Sequence, residues 1–150
     1  MLQVLHASHN GTLYRHHLRC TADIADLIRE THLETLTSTD GEIDFWFTPS
    51  TSPGHQGVNR KATEIFLATT QFSARNVPLL RGRLVLATHT PAGELAGLTD
   101  AHMQRISKAL TSTTWLQSRI LDARHARDER SQRRASTAEN KKRLEEWWKV

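Results

Sequence analysis

Between Arg127 and Arg143 the chain offers only two apolar residues, Ala135 and Ala138, and neither is large enough to anchor a core. That run forms either a solvated helix laced with Glu/Arg pairs or a segment that orders on binding. A single core shared by all 150 residues is therefore excluded. Charge divides the chain at the same place. Residues 1–110 carry 10 basic and 10 acidic side chains, whereas residues 111–150 carry 10 basic and 6 acidic, so the formal +4 comes entirely from the last 40 residues. The expected organisation is a compact domain over residues 1–110 followed by a basic helical arm over 111–150.

The first part can fold on its own account, because turn signals and hydrophobic periodicity alternate along it. Asn10-Gly11 predicts a two-residue hairpin loop between strands Gln3–His9 and Thr12–Leu18. In that register His6 faces Arg15 and Val4 faces His17, making His6 and His17 diagonal neighbours on one face. A helix follows, capped by Thr21 or Asp23 and burying Ile24, Leu27 and Ile28. Asp40-Gly41 predicts a second hairpin, in which Ile43, Phe45 and Phe47 share one face and Asp44 and Trp46 the other. After a loop over residues 49–57, Asn59 is the expected N-cap of a helix lined by Ala62, Ile65, Phe66 and Thr69. Residues 79–88 read as a strand interrupted by Gly82, and Thr99-Asp100 opens a helix with Met103, Ile106 and Leu110 on one side. The class is α+β, with a small mixed or antiparallel sheet, packed helices and the C-terminal basic arm.

Several functions are disfavoured by composition. No run approaches the roughly 20 apolar residues of a membrane span, and the residues after Met1 lack the pattern of a secretion signal, so a cytoplasmic protein without a membrane partner is expected. Cys20 is the single cysteine; it is expected to be a half-buried, unreactive side chain. Four of the nine histidines, His6, His9, His16 and His17, lie on the first hairpin. They supply two ligands on one face at most, short of a closed metal site, and no cofactor is expected. No nucleophile elbow or helical zinc motif occurs, and the carboxylates Asp40, Glu42, Asp44 and Glu64 are unremarkable for a chain of this size, so a non-enzymatic protein is expected.

Two candidate binding regions remain. The loop leading into the middle helix brings Gly57, Asn59, Arg60 and Lys61 to a helix N-terminus, where free N–H groups and cations favour an anion, so a binder of a small phosphate ligand or an enzyme acting on one is a further alternative. The arm carries Arg127, Arg130, Arg133, Arg134, Lys141, Lys142 and Arg143 and closes with Leu144, Trp147 and Trp148 at i, i+3, i+4. Acidic residues Asp122, Asp128, Glu129 and Glu139 interrupt the basic band, so docking of the apolar end into a groove of a partner protein is the first expectation and nucleic-acid binding by the arginines the second. Self-association of the arm is a further alternative.

The blocks Ile43-Asp44-Phe45-Trp46, Val58-Asn59-Arg60-Lys61-Ala62-Thr63, Val77-Pro78-Leu79-Leu80-Arg81-Gly82 and Gly97-Leu98-Thr99-Asp100 together resemble a family of small actinobacterial and actinobacteriophage proteins classed as a domain of unknown function. The resemblance spans about residues 40–103. It implies an accessory protein of a phage or mobile element, one that modulates a host or defence protein, and brings no catalytic residues with it.

Overall fold

A computed structural model describes residues 1–148 of the chain, which divides into two compact units, Met1–Thr114 and Trp115–Val150. In the first unit β1 (Leu2–Ala7), β2 (Leu13–Leu18), β3 (Glu34–Thr37), β4 (Asp44–Phe47), β5 (Leu84–His89) and β6 (Leu95–Ala96) form one sheet. Its order is β2-β1-β5-β4-β3, with β6 also paired to β5, and every pairing is antiparallel. Helices α1 (Thr21–Ile28), α2 (Arg60–Thr69) and α3 (Asp100–Thr111) complete the unit, and the second unit is a single helix, α4 (Trp115–Trp148). The architecture is α+β.

The apolar run Leu84-Val85-Leu86-Ala87 makes β5 the centre of this sheet. All four residues are fully buried, as a strand covered on both faces requires. On one face Ile24 and Ile28 of α1 cluster with Val4, Leu18, Val85 and Ala87. On the other, Phe45 meets Phe66 of α2 edge-on at 5.0 Å between ring centroids. The period-2 reading of β4 therefore holds: Ile43 and Phe45 are buried, and Trp46 lies beneath α1 with the first cluster. Each fully buried Ile, Leu or Phe contributes about 2 kcal/mol of transfer free energy.

The turns depart from the expected ones by a single residue, with consequences for every side chain in the first hairpin. Gly11 takes φ 85°, its N–H donates to the Ser8 carbonyl at 3.2 Å, and the Ser8 N–H donates to the Thr12 carbonyl at 2.9 Å. This is a three-residue loop, His9 to Gly11, in which only glycine adopts the left-handed conformation. Asn10 instead accepts hydrogen bonds from Ser8 Oγ and the Thr12 N–H. The register becomes His6↔Tyr14 and Val4↔His16, so His16, rather than His17, shares a face with His6. Helix α1 also starts differently: Cys20 is its N-cap without a side-chain bond, and Asp23 accepts from the Arg19 N–H at 2.8 Å. Cys20 is exposed, because the cap position lies at the open end of α1. The strand expected over residues 79–88 begins only at Leu84, since Gly82 at φ 71° turns the chain.

Asn59 caps α2 as its sequence position indicates, but it does far more than cap. The residue is 2% exposed. Its Oδ1 accepts from the Ala62 N–H at 3.2 Å, while Nδ2 donates to the carbonyls of Ala7, Ser8 and Gly82 at 3.0, 3.3 and 2.8 Å. Its own backbone N–H donates to the Leu80 carbonyl at 2.7 Å. Thr63, one turn on, donates to the Asn59 carbonyl at 2.8 Å and accepts the Leu80 N–H at 3.0 Å. The end of β1, the approach to β5 and the start of α2 are thus joined at one amide. Asn59→Ala is expected to lower stability in urea unfolding by about 3 kcal/mol, because a cap is lost and buried carbonyls are left unpaired. Asn59→Asp is expected to cost more, since it adds a buried charge and removes both donors; a loss below about 1 kcal/mol in either variant would contradict the assignment.

Candidate functional site

Helix α4 has no Gly or Pro among its 34 residues and is built largely from Arg, Lys, Glu, Gln, Leu and Ala, the residues with the highest helix propensity. Its continuity decides how its charges are arranged. With successive residues about 100° apart around the axis, Arg119, Arg124, Arg127, Arg130, Arg133, Arg134, Lys141 and Lys142 fall within an arc of roughly 180°. Asp122, Asp128, Glu129 and Glu139 fall on the opposite side, and the mean directions of the two sets lie roughly 180° apart. Acids that interrupt the basic band along the sequence therefore do not interrupt it in space. Arg143 projects among the acids, and Glu145 projects toward the basic side.

Three side-chain interactions run along the acidic side. His125 meets Glu129 at 3.0 Å, Gln132 donates to Asp128 at 3.1 Å, and Arg143 pairs with Glu139 at 3.0 Å. On the basic side Arg127, Arg130, Arg133, Arg134, Lys141 and Lys142 are exposed, and Ser131 lies among Arg127, Arg130 and Arg134 on one stretch of surface. The apolar residues at the ends of the helix are exposed too. Trp115 is 75% exposed and Leu116 60%, and the Arg119 guanidinium sits 5.6 Å from the Trp115 ring centroid. At the far end Leu144 is 61% exposed and Trp147 79%. The backbone of Trp148 continues α4, and its side chain lies outside the described residues.

The other candidate, around Gly57, is engaged in holding the fold. Asn59 is committed to the bonds described above, the Gly57 carbonyl accepts the Gly82 N–H at 2.8 Å, and Arg60 pairs with Glu64 through Nε at 3.2 Å. Lys61 is half-buried beside them. The loop between β4 and α2 thus closes on the turn before β5.

The sheet also brings together polar pairs that sequence spacing did not reveal. Buried Asp44 accepts from Thr37 Oγ1 at 2.8 Å and lies 2.7 Å from His89 Nδ1. Asp44 and His89 meet because β4 and β5 align Asp44 with Ala87, two residues short of His89, a register that no local pattern encodes. On the first hairpin His6 and His16 stack edge-on at 5.6 Å. Burial, reinforced by the neighbouring His16 and Arg83, lowers the His6 pKa from 6.5 to about 4. Among the described residues, no group of three or more His, Cys, Asp or Glu side chains is placed to hold a metal ion. No helix among them is long and apolar enough to cross a membrane.

Comparisons with protein-family models, with curated proteins and with solved structures return no match to this chain. Its functional reading therefore rests on its own geometry.

The lowered His6 pKa makes stability depend on pH with a definite sign. Below pH 6.5 the unfolded chain protonates this imidazole while the folded one resists until about pH 4, so its contribution is present above 6.5 and is lost as pH falls through that interval. The expected outcome is a smaller fall in melting temperature between pH 7 and pH 5 for His6→Gln than for the native sequence. Equal falls in the two proteins would contradict it.

Proposed function

We propose that this protein is a non-enzymatic nucleic-acid-binding protein whose C-terminal helix α4 is the contact element. One observation carries the reading: with Arg143 and Glu145 as exceptions, the helix places its bases and its acids on opposite sides, so that Arg127, Arg130, Arg133, Arg134, Lys141 and Lys142 form an exposed arc. Acids stand four residues from Arg124, Arg133, Lys141 and Lys142, whereas none stands three or four residues from Arg127, Arg130 or Arg134, so the centre of the arc lacks the i,i+4 partners that charges meant only to satisfy each other would have. The ion pairs His125–Glu129 and Arg143–Glu139 lie on the acidic side, and the exposed cations of the basic arc suit contact with phosphates. Arginine outnumbers lysine 15 to 5 in the chain, which suits bidentate contact with phosphate oxygens.

A second reading has its own support. Exposed Leu144 and Trp147 at the end of α4 fit an apolar groove on a partner protein, in keeping with the accessory role that the family resemblance implies. The two separate by measurement. Fluorescence anisotropy of labelled DNA and RNA with the full chain is expected to show binding that weakens about 10³-fold between 50 and 200 mM salt, as about six phosphate contacts require. Leu144→Ser with Trp147→Ala is expected to leave that binding unchanged. Absence of binding to either nucleic acid at 50 mM salt would overturn the first reading. The second would gain if a nuclease-resistant protein partner were lost with the same double variant.

A further inference from the structure

The width and composition of the basic arc point to a particular form of nucleic acid. We infer that α4 binds double-stranded nucleic acid, lying against the duplex with its arginines and lysines reaching phosphates on either side; this rests on the nucleic-acid reading above and narrows it. Three features of the helix support the duplex. The first is reach across the helix. Arg133 lies near one margin of the arc and Lys142 near the other, with Arg127, Arg130, Arg134 and Lys141 between them. A helix about 10–12 Å across matches a major groove about 12 Å wide, whose two walls are lined with phosphate, so cations are needed on both flanks of the inserted face. A partner contacting only a narrow line of charge would leave the marginal residues without contacts.

The second is length. From Arg119 to Lys142 the basic positions extend over roughly 35 Å of helix, about one turn of duplex, along which the phosphates are regularly spaced and rigidly held. A continuous helix of that length spaces its cations at intervals along such an array, its middle within the groove and its ends against the flanking backbones. The third is composition. Single strands without secondary structure are held by basic grooves combined with aromatic side chains on which bases stack. Between Leu116 and Glu146 the chain has no Trp, Tyr or Phe, so exposed Trp115 and Trp147 lie only at the two ends of the basic arc, which carries no run of stacking platforms along its length.

The test uses the full chain and a mixed-sequence 24-base-pair DNA duplex, with oligo-dT of the same length and poly-glutamate as competitors. At 50 mM salt the duplex is expected to bind at least about tenfold more tightly than oligo-dT, with a log–log salt slope of about −5. Arg127→Gln, Arg130→Gln and Arg134→Gln together should flatten that slope to between about −2 and −3. A single Arg130→Gln should weaken duplex binding several-fold, whereas Arg143→Gln, the same change of charge on the acidic side, should leave it unchanged. Circular dichroism of each variant confirms that α4 is retained. Oligo-dT binding as tightly as duplex would overturn the duplex inference and leave the nucleic-acid reading standing. Poly-glutamate competing as well as duplex at equal charge, or equal effects of Arg130→Gln and Arg143→Gln, would overturn the geometric basis of both. Absence of binding to every nucleic acid would overturn both directly.

Discussion

The first unit depends on a buried carboxamide. Asn59 satisfies an α2 donor with its oxygen and three carbonyls from β1 and the β5 approach with its nitrogen. No other side chain of similar size offers an acceptor and two donors in one plane, so Asp loses the donors and Leu loses everything. The site also explains why residues 49–57 need no regular structure beyond the single 3-10 turn Pro53–His55. The segment needs only to return the chain to Asn59, where position and direction are fixed by bonds to strands already paired in the sheet. Gly82 belongs to the same junction: a Cβ there would lie 3.2 Å from the His55 Cα, and its φ of 71° is left-handed. Two loops and a helix start are therefore held in register by a cap and a glycine. The more extensive apolar packing of Phe45, Phe66 and Leu86 supplies most of the stabilisation without fixing that register.

Legibility in the sequence follows the range of the interaction concerned. Periodicity is local, and it placed Ile24 and Ile28 on the buried side of α1, Ile65 and Phe66 inside α2, and Ile43 and Phe45 opposite Asp44. Caps are local as well, and Asn59 and Thr99 both cap as their positions indicate. The failures begin where one residue decides a register. Asn10-Gly11 is compatible with two-residue and three-residue loops; Asn10 chooses the latter by accepting the Thr12 N–H at 3.1 Å, and His16 replaces His17 beside His6. Pairing of Asp44 with His89 depends on β4 meeting β5 across 45 residues of sequence. Strand order is of the same kind, because β5 inserts between β1 and β4 although both precede it.

Charge on α4 was legible in amount and illegible in arrangement until the helix was known to be continuous. Read along the chain, Asp122, Asp128, Glu129 and Glu139 break the basic band into pieces. Wound at 3.6 residues per turn, they move to the far side. The relevant signal is the period of the acids rather than their number, and it becomes visible only when residues 127–143 are taken as helix despite having no apolar face.

Segregating charge has an energetic consequence for α4. Opposite charges at i,i+4 stabilise a helix by about 0.3–0.5 kcal/mol per pair, and like charges at that spacing destabilise it by a similar amount. The acidic side gains from pairs such as Arg143–Glu139, while the basic side sets Arg127 beside Arg130 and Arg130 beside Arg134 at i,i+3 and i,i+4. The free helix therefore bears a repulsion that ordinary salt only screens. A row of phosphates along the basic arc would replace repulsion with charge-assisted hydrogen bonds, so that binding and helix stability would reinforce each other. With Arg143 and Glu145 as its exceptions, a helix of this composition keeps like charges together along its basic arc at a cost to its own stability, a cost that the proposed polyanion would offset.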